Sequence, residues 1–277
     1  ALAFAELGVK KIRITGGEPL VRKGALELLQ NIGRIESLNE LVITTNGSQL
    51  ETMAASLKEA GVKRINISLD TLDADKFKAI TRTGDLAQVL RGIQAAKAAG
   101  FERIKINAVI LKDRNHLEVN DLVRFAVDNG IDISFIEEMP LGVVSQHDRA
   151  DAYYSSDLIK ADLAEHFALI ATPEKTGGPS NYFNVSGTQT RVGFISPHSE
   201  NFCSTCNRVR LTVEGRLLLC LGNEHSVDLK QVIRVHPGDM AALKQAIVDA
   251  MLIKPEKHEF NINEQPVILR YMSMTGG

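Results

Sequence analysis

Apolar and polar residues in the first half of the chain repeat one pattern: a short run rich in β-branched residues, a turn, then a helical stretch. Such a run predicts a strand, and apolar residues spaced three and four apart predict the helix that follows. The predicted strands are Lys11–Thr15, Leu41–Thr45, Arg64–Leu69, Arg103–Leu111 and Ile131–Ile136. The predicted helices include Leu50–Ala60, Leu86–Ala99 and Glu118–Asn129, which run into Gly61, Gly100 and Gly130. A glycine at the end of a helix can cap it, so each unit has a predicted stop.

This alternation of strands and helices indicates βαβ units and a parallel sheet. Several strands carry polar residues beside the branched ones, as the wall of a barrel around a polar site would, whereas a doubly wound sheet has more uniformly apolar strands. Five strands are too few to close an eight-stranded barrel. The chain also starts inside an amphipathic helix and without Met. We therefore predict a partial barrel and expect that its true beginning is missing.

The pattern changes after residue 141, where polar and turn-forming residues become frequent. One helix is predicted at Ser156–Phe167, a loop at Thr176–Tyr182, and a last helix near Met240–Met251. Short strands near Thr190–Ile195 and Val209–Val213 flank a cluster of cysteines. We predict two domains, a partial barrel in residues 1–141 and a smaller C-terminal domain with a tail in residues 142–277.

The amino-acid composition limits the classes of function that the chain can have. Apolar residues make up 44% and charged residues 24% of the 277, as in ordinary globular proteins. The net charge of −2, with 5% aromatic residues and no Trp, argues against a nucleic-acid partner. No apolar run approaches the roughly 18 residues of a membrane span, and no signal peptide is visible. The three cysteines, an odd number, favour a reducing compartment, and we predict a cytoplasmic protein without a membrane partner.

The three cysteines of the chain fall in one short window, at Cys203, Cys206 and Cys220. Three thiolates can hold zinc with a fourth ligand, for which His225 is available, or a 4Fe–4S cluster with one iron left open. Spacing alone leaves both open. Between the cysteines lie Arg208 and Arg210, which would share one face of a strand and suit phosphate.

Three further segments end predicted strands, where parallel α/β folds place their ligands. They are Thr15–Leu20, Thr44–Gly47 and Ser68–Asp70. Basic residues also occupy strand positions where an unpaired buried charge would be costly. These residues are Lys11, Arg13 and Lys105.

Five motifs together resemble one family. The run ITGGEPL at Ile14–Leu20 is similar to the Gly-Gly-Glu motif of radical S-adenosylmethionine (SAM) enzymes. The runs VITTNG, RINISLD and FIEEMPLG resemble the next strand ends of the GTP 3′,8-cyclase family within that superfamily. FCSTCNRVRLTVEGRLLLCL at Phe202–Leu221 resembles the auxiliary cluster motif of the same family, and the Gly-Gly terminus matches too. The likeness covers nearly the whole chain.

The resemblance implies an α/β fold, an incomplete (β/α)6 barrel of the TIM type lacking its first strand here, with a C-terminal α+β iron–sulfur domain. It implies a lyase that cyclises GTP to (8S)-3′,8-cyclo-7,8-dihydroguanosine 5′-triphosphate, the first step of molybdenum cofactor (molybdopterin) biosynthesis. A radical made from SAM takes H-3′ of GTP, and C3′ then attacks C8 of guanine. The downstream partner would be cyclic pyranopterin monophosphate synthase. The sequence leaves the oligomeric state open, with a homodimer as one option.

The resemblance also implies roles for particular residues. The auxiliary 4Fe–4S cluster would bind Cys203, Cys206 and Cys220, with the guanine of GTP at its open iron. SAM would contact Gly17, Thr44, Ser68 and Met139. GTP would contact Lys11, Arg13, Lys105, Arg208 and Arg210. The terminal Gly276 and Gly277 would reach into the active site.

Two departures from the family pattern matter. The CxxxCxxC segment for the SAM cluster is absent, and no cysteine precedes Cys203. We therefore expect the second 4Fe–4S cluster only in a full-length protein, and this chain to be inactive alone. Ser134 stands where the family usually has an Arg that contributes to the ligand pocket, and that role is not carried over to it.

Three other functions compete. The first is another radical SAM enzyme with an auxiliary cluster, such as a peptide-modifying maturase, although these generally use more cysteines near the C-terminus. The second is a non-catalytic domain stabilised by zinc on the three cysteines and His225. The third is a nucleotide-binding regulator derived from the enzyme. Iron and sulfide content separates the zinc domain from the cluster enzymes.

Overall fold

Eight strands form one sheet whose two faces differ sharply in polarity. The computed structural model describes residues 1–143, 147–258, 260–262, 264 and 268–275. The strands of the sheet are β1 (Lys11–Ile14), β2 (Glu40–Thr45), β3 (Val62–Ser68), β4 (Arg103–Val109), β5 (Asp132–Ile136), β6 (Leu169–Ala171), β7 (Asn181–Val185) and β8 (Arg191–Ile195). A separate small sheet has β9 (Arg210–Leu211), β10 (Arg216–Leu218) and β11 (Ser226–Asp228).

The helices lie mainly between successive strands, as the alternating pattern predicts. They are α1 (Leu2–Glu6), α2 (Ala25–Gly33), α3 (Leu50–Glu59), α4 (Ala74–Thr81), α5 (Leu86–Ala98), α6 (Val119–Asn129), α7 (Arg149–Ala152), α8 (Ser156–Ala164), α9 (Leu229–Val235), α10 (Met240–Leu252) and α11 (Met272–Thr275). Gly61, Gly100 and Gly130 follow α3, α5 and α6 with positive φ values, which confirms their predicted part in ending those helices. Among the described residues, no helix combines the length and apolar character needed to cross a membrane.

The order of the large sheet is β1-β2-β3-β4-β5-β8-β7-β6. Pairing is parallel from β1 to β5 and from β5 to β8, then antiparallel through β7 to β6. The predicted incomplete TIM-type barrel is confirmed as a mainly parallel sheet. Its last strands come from the C-terminal half of the chain, so the sheet crosses residue 141. The division into 1–141 and 142–277 stays a prediction.

Alternate residues of the parallel strands face opposite sides of the sheet. One set, which includes Ile43, Ile65, Ile67 and Ile106, is fully buried in the main core with the apolar faces of the helices. Burying a side chain of this size contributes about 1.5–3 kcal/mol. The other set faces the barrel interior and carries most of the polar residues of the strands.

Two smaller cores attach the C-terminal half. Ala3 of α1 packs with Leu217, Leu229 and Ile247, so the first helix lies against α9 and α10. A third cluster joins Leu141, Leu221 and Ile268, with Met139 against it. This cluster fixes the chain just after Cys220 to the loop that follows β5.

Among the boundaries that differ from the sequence analysis, two are set by pairing with another strand. The predicted loop at Thr176–Tyr182 overlaps β7, which already begins at Asn181, because Tyr182 and its neighbours pair with β8. The predicted strand at Val209–Val213 is shortened to β9, since Thr212 begins the tight turn that leads back into β10. In both places pairing with a distant strand sets the limits of the element.

A buried ion pair locks β5 to β8. Asp132 and Arg191 are 3% and 6% exposed, and the Arg191 guanidinium donates hydrogen bonds to both carboxylate oxygens of Asp132, the shortest 2.6 Å long. Glu174 accepts from the same guanidinium at 2.7 Å. Arg191 is therefore satisfied within the protein.

We expect Asp132→Ala to lower the free energy of unfolding by roughly 3–5 kcal/mol, because it leaves a buried guanidinium without its main partner. Urea denaturation monitored by circular dichroism measures this loss. The matched control is Asp121→Ala, which breaks the exposed pair with Arg124 and should cost less than about 1 kcal/mol. Equal losses for the two variants would contradict the argument from burial.

Candidate active site

Six basic side chains come together on the interior side of the barrel and beside the cysteine segment. We call them the interior cation group: Lys11, Arg13, Arg64, Lys105, Arg208 and Arg210. The charge of Arg64 is close enough to lower the pKa of Lys11, Arg13 and Lys105. The charge of Arg208 acts in the same way on Arg13 and Arg210. The five basic residues predicted from the sequence thus lie together, joined by Arg64.

Alternation along β1 and β3 explains this convergence. Lys11 and Arg13 are two positions apart, as are Arg64 and Asn66, so each pair faces the same side of its strand. The intervening Ile12 and Ile65 pack in the apolar core on the other side. Burial of the isoleucines therefore forces the charges into the barrel.

Glu40 at the start of β2 pairs with two members of the group. Its carboxylate lies 2.9 Å from Lys11 Nζ and also contacts Arg64 Nε. Lys11 Nζ additionally donates a hydrogen bond of 2.5 Å to the backbone oxygen of Thr176. This part of the group is therefore held in place before any ligand binds.

The other members lack such a partner. Within the described part of the chain, Arg13, Lys105, Arg208 and Arg210 form no ion pair with a carboxylate. Burial, and then repulsion from neighbouring guanidinium groups, lowers the pKa of Arg13 and of Arg210 to about 10. Cations held together at this cost form a site for a multiply charged anion.

The cysteine segment lies against this group. Cys203, Cys206 and Cys220 are free and half-buried. Burial opposes ionisation of Cys206, but the backbone N–H and the charge of Arg208 outweigh it and lower the pKa of the thiol. The charges of Cys206 and Cys220 act on Arg210, so thiol and guanidinium are neighbours. The donor set of three thiols suits an iron–sulfur cluster.

The three cysteines and His225 do not converge on a single point in the described structure, for a zinc ion or for a cluster. A tetrahedral zinc ion needs ligand atoms about 2.0–2.3 Å from the metal. Among the described residues, no group of three or more His, Cys, Asp or Glu side chains is positioned to hold an ion. His225, the alternative fourth ligand for zinc, is exposed.

Glu137 anchors the chain that leads into the cysteine segment. This fully buried carboxylate accepts hydrogen bonds from the N–H groups of Ser156, His198 and Ser199, and from the Ser199 hydroxyl. Burial would raise its pKa, but these hydrogen bonds lower it below the ordinary value. Residues 198 and 199 are thereby fixed to the end of β5.

The residues predicted to contact SAM lie at or near the carboxyl ends of the strands. Gly17 is exposed in the turn after β1, Ser68 is exposed at the end of β3, and Met139 packs beside Leu141. Thr44 is buried, and its hydroxyl accepts a hydrogen bond of 3.2 Å from Arg13. Because Thr44 contacts Arg13, the predicted SAM and GTP sites adjoin.

Glu18 is occupied by internal hydrogen bonds. Its carboxylate accepts from the Leu20 N–H at 3.0 Å, the Thr45 hydroxyl at 2.8 Å and the Asn46 N–H at 2.6 Å. The bonds connect the turn after β1 to the end of β2. Glu18 thus shapes the rim of the barrel.

Several interior residues were not identified from the sequence. Asn66 Nδ2 and Asn107 Oδ1 are buried without a hydrogen-bond partner in the described structure. Buried polar atoms of this kind usually have a partner, which a ligand or a water molecule can supply. Arg64 and Tyr182 belong to the same interior. The alternation in RINISL could have indicated Arg64 and Asn66.

Ser134 is fully buried on β5 and contacts Ser180 Oγ at 3.1 Å. Gly193 of β8 faces both serines, and a Cβ there would lie 2.1 Å from Ser180 Oγ and 2.6 Å from Ser134 Oγ. Small residues therefore fill this part of the wall. The predicted Gly276 and Gly277 lie outside the described residues.

Known proteins resemble the chain along its whole length. Residues 1–126 match the Radical SAM superfamily, and residues 131–260 match the family described as Molybdenum Cofactor Synthesis C. A GTP 3′,8-cyclase of Pseudomonas entomophila is 61% identical over 99% of this chain and 82% of its own length. A GTP 3′,8-cyclase of Saccharophagus degradans is 56% identical over 99% and 83%. The chain belongs to the GTP 3′,8-cyclase family.

Membership of this family makes the protein a radical SAM enzyme of the lyase class. The fold agrees with that of a structure of Streptococcus suis SuiB bound to S-adenosylmethionine. The two superpose with a TM-score of 0.58 over 98% of this chain and 68% of the other, at 14% identity. At this identity the likeness supports the barrel alone, which agrees with the sheet described above.

Asp70, just beyond β3, gives the rim of the GTP 3′,8-cyclase barrel a measurable pH dependence. Its carboxylate accepts a hydrogen bond of 2.8 Å from the Val109 N–H, but burial raises its pKa from 3.8 to about 6. Between these values the folded protein binds more protons than the unfolded chain. Asp70 therefore contributes stability at low pH that is lost as pH rises through about 6.

We expect Asp70→Asn to remove this dependence. The stability gained by the variant relative to wild type should rise between pH 4 and pH 7 by up to about 3 kcal/mol. Urea denaturation across this range tests the expectation. Exposed Asp75→Asn is the control and should keep the wild-type slope; an unchanged slope in Asp70→Asn would show that Asp70 is ionised at an ordinary pKa.

Proposed function

We propose that the protein catalyses the cyclisation of GTP to (8S)-3′,8-cyclo-7,8-dihydroguanosine 5′-triphosphate, the first step of molybdenum cofactor biosynthesis. The observation that carries the proposal is the interior cation group, which contacts the strand end at Thr44 through Arg13 and the cysteine segment through Arg208 and Arg210. The curated relatives named GTP 3′,8-cyclase support the same reaction.

The triphosphate of GTP would bind the interior cation group. A triphosphate brings several negative charges and strong acceptor oxygens, which match the guanidinium groups of Arg13, Arg208 and Arg210 and the ammonium group of Lys105. Its charge would also relieve the repulsion that lowers the pKa of Arg13 and Arg210. Binding of the anion would therefore be favoured by the relief of repulsion among these cations.

Cys203, Cys206 and Cys220 would hold an auxiliary 4Fe–4S cluster. Three protein ligands leave one iron free for the guanine of the substrate. Arg208 and Arg210 lie in the same segment, so the residues that hold the cluster and those that hold the phosphates are fixed to one another.

SAM would occupy the neighbouring rim, against Gly17, Thr44, Ser68 and Met139. When bound with a reduced iron–sulfur cluster, SAM supplies the radical chemistry of the superfamily. The Thr44–Arg13 hydrogen bond supports this placement, because it brings the SAM rim and the GTP group into contact. The roles of these residues, and a reach of Gly276 and Gly277 into the site, remain parts of the proposal.

The proposal also covers the pathway partner, the oligomeric state and the cellular compartment of the enzyme. The product would pass to cyclic pyranopterin monophosphate synthase, and a homodimer is one of the oligomeric states left open by the sequence. The free thiols favour a reducing compartment such as the cytoplasm. A zinc-stabilised binding domain is disfavoured, because it would not explain why the cations converge.

We expect Arg13→Gln to weaken the affinity of the chain for GTP by about tenfold or more, since it removes one charge-assisted contact worth roughly 1.5–3 kcal/mol. Isothermal titration calorimetry on the anaerobically reconstituted chain measures the dissociation constant. Arg91→Gln, which removes an exposed surface arginine paired with Glu51, is the matched control and should bind as wild type. Failure of the wild-type chain to bind GTP would overturn the proposal.

We expect anaerobic reconstitution with iron and sulfide to load about four irons per chain. Cys220→Ala should lose the iron together with GTP binding, because the substrate loses its metal contact. Ser204→Ala, a change in the exposed turn between two of the cysteines, should retain both. Iron and sulfide assays give the stoichiometry; one zinc per chain and no iron would refute the cluster.

A further inference from the structure

Tyr182 lies in the barrel interior, and it is not one of the residues proposed to contact the phosphates of GTP. The side chain is 4% exposed, and the residue pairs with Gly193 of β8. A Cβ on Gly193 would come within 2.9 Å of Tyr182 Cε1, so the ring fills the space that glycine leaves. The ring is thus fixed in position by the backbone of β8.

The hydroxyl of Tyr182 contacts Lys105. Lys105 Nζ donates a hydrogen bond of 3.3 Å to the phenol oxygen, and the ammonium group lies 5.8 Å from the ring centroid. Thr176 Oγ1 lies 3.4 Å from the same oxygen. The phenol is therefore a hydrogen-bond acceptor for Lys105 that is itself held by the loop before β7.

The contact with Tyr182 favours the charged form of Lys105. Burial lowers the pKa of Lys105, and the charges of Arg13 and Arg64 lower it further, whereas Tyr182 raises it. Among the described residues, no carboxylate forms an ion pair with Lys105. Within the described part of the chain, the phenol is thus the group that raises the pKa of Lys105.

The electrostatics of the phenol are consistent with this role. Burial would raise the pKa of Tyr182, but Lys105 and the hydroxyls of Thr176 and Ser180 lower it to about 8. The charged groups that face the phenol are Lys105 from β4, Arg13 from β1 and Arg191 from β8, the last with its guanidinium carbon 4.9 Å from the ring centroid. All three groups are cations, and the partial negative charge of the phenol oxygen attracts each of them.

We propose that Tyr182 is a positioning residue for GTP: its hydroxyl accepts a hydrogen bond from Lys105 and directs that ammonium group into the interior cation group. The inference rests on the proposed function, because it assumes that Lys105 contacts the phosphates of GTP. It adds a residue of β7 to a site otherwise built by the strands β1 to β4 and the cysteine segment. A tyrosine that only fills space would need its ring but not its hydroxyl.

The test compares the GTP affinity of wild type, Tyr182→Phe and Tyr154→Phe at pH 6, 7 and 8, on the anaerobically reconstituted chain. Tyr154→Phe is the matched control, since its hydroxyl bonds to Asp162 of α8, outside the barrel interior. The GTP affinity of Tyr182→Phe should be within about threefold of wild type at pH 6 and about tenfold lower than wild type at pH 8. Without the phenol the neutral amine of Lys105 is favoured, and that form becomes more populated as pH rises.

A second background variant shows whether the weaker GTP binding of Tyr182→Phe acts through Lys105. Arginine stays charged without help from a phenol, so in a Lys105→Arg background Tyr182→Phe should no longer weaken GTP binding as pH rises. Thermal unfolding of each variant without GTP identifies any that fail to fold.

The possible results distinguish failure of the proposed function from failure of the role of Tyr182. A wild-type chain that binds no GTP at any pH overturns the proposed function itself. A wild-type chain that binds GTP, while Tyr182→Phe binds equally well at pH 8 or is weakened equally at every pH, overturns the role of Tyr182 alone.

Discussion

The arrangement of the whole molecule depends on keeping several cations close together inside a barrel. Bringing like charges out of water is unfavourable, and the lowered pKa of Arg13, Lys105 and Arg210 records that cost. The apolar core on the outer side of the sheet offsets it, because the same strands bury Ile43, Ile65 and their neighbours. A site so assembled is complementary to an anion before the anion arrives.

The C-terminal half completes this barrel. Strand β8 continues the parallel sheet beside β5, and Asp132 and Arg191 lock the joint. Glu137 then fixes the following turn, which leads to the cysteine segment. The two family matches, 1–126 and 131–260, therefore meet where the cysteine segment lies beside the interior cation group.

Much of the candidate site could be predicted because its signals are local. Residues two apart on a strand share a face, which places Lys11 with Arg13 and Arg208 with Arg210. The close spacing of three cysteines likewise indicates a metal group without knowledge of the fold. Glu40, Arg64 and Tyr182 were missed, because each matters only through a partner on another strand. Tyr182 was also assigned to a loop, since its strand exists only by pairing with β8.

The sequence by itself determined the alternation of strands and helices, the family, and the residue types that suit phosphate, SAM and an iron–sulfur cluster. These follow from periodicity and from motifs that lie within a few residues. The tertiary structure alone decided which charges are neighbours, that Lys105 has a phenol rather than a carboxylate as its partner, and that β8 belongs to the barrel. Such facts depend on contacts between residues far apart in the chain, whose electrostatic and packing energies appear only when the strands are assembled.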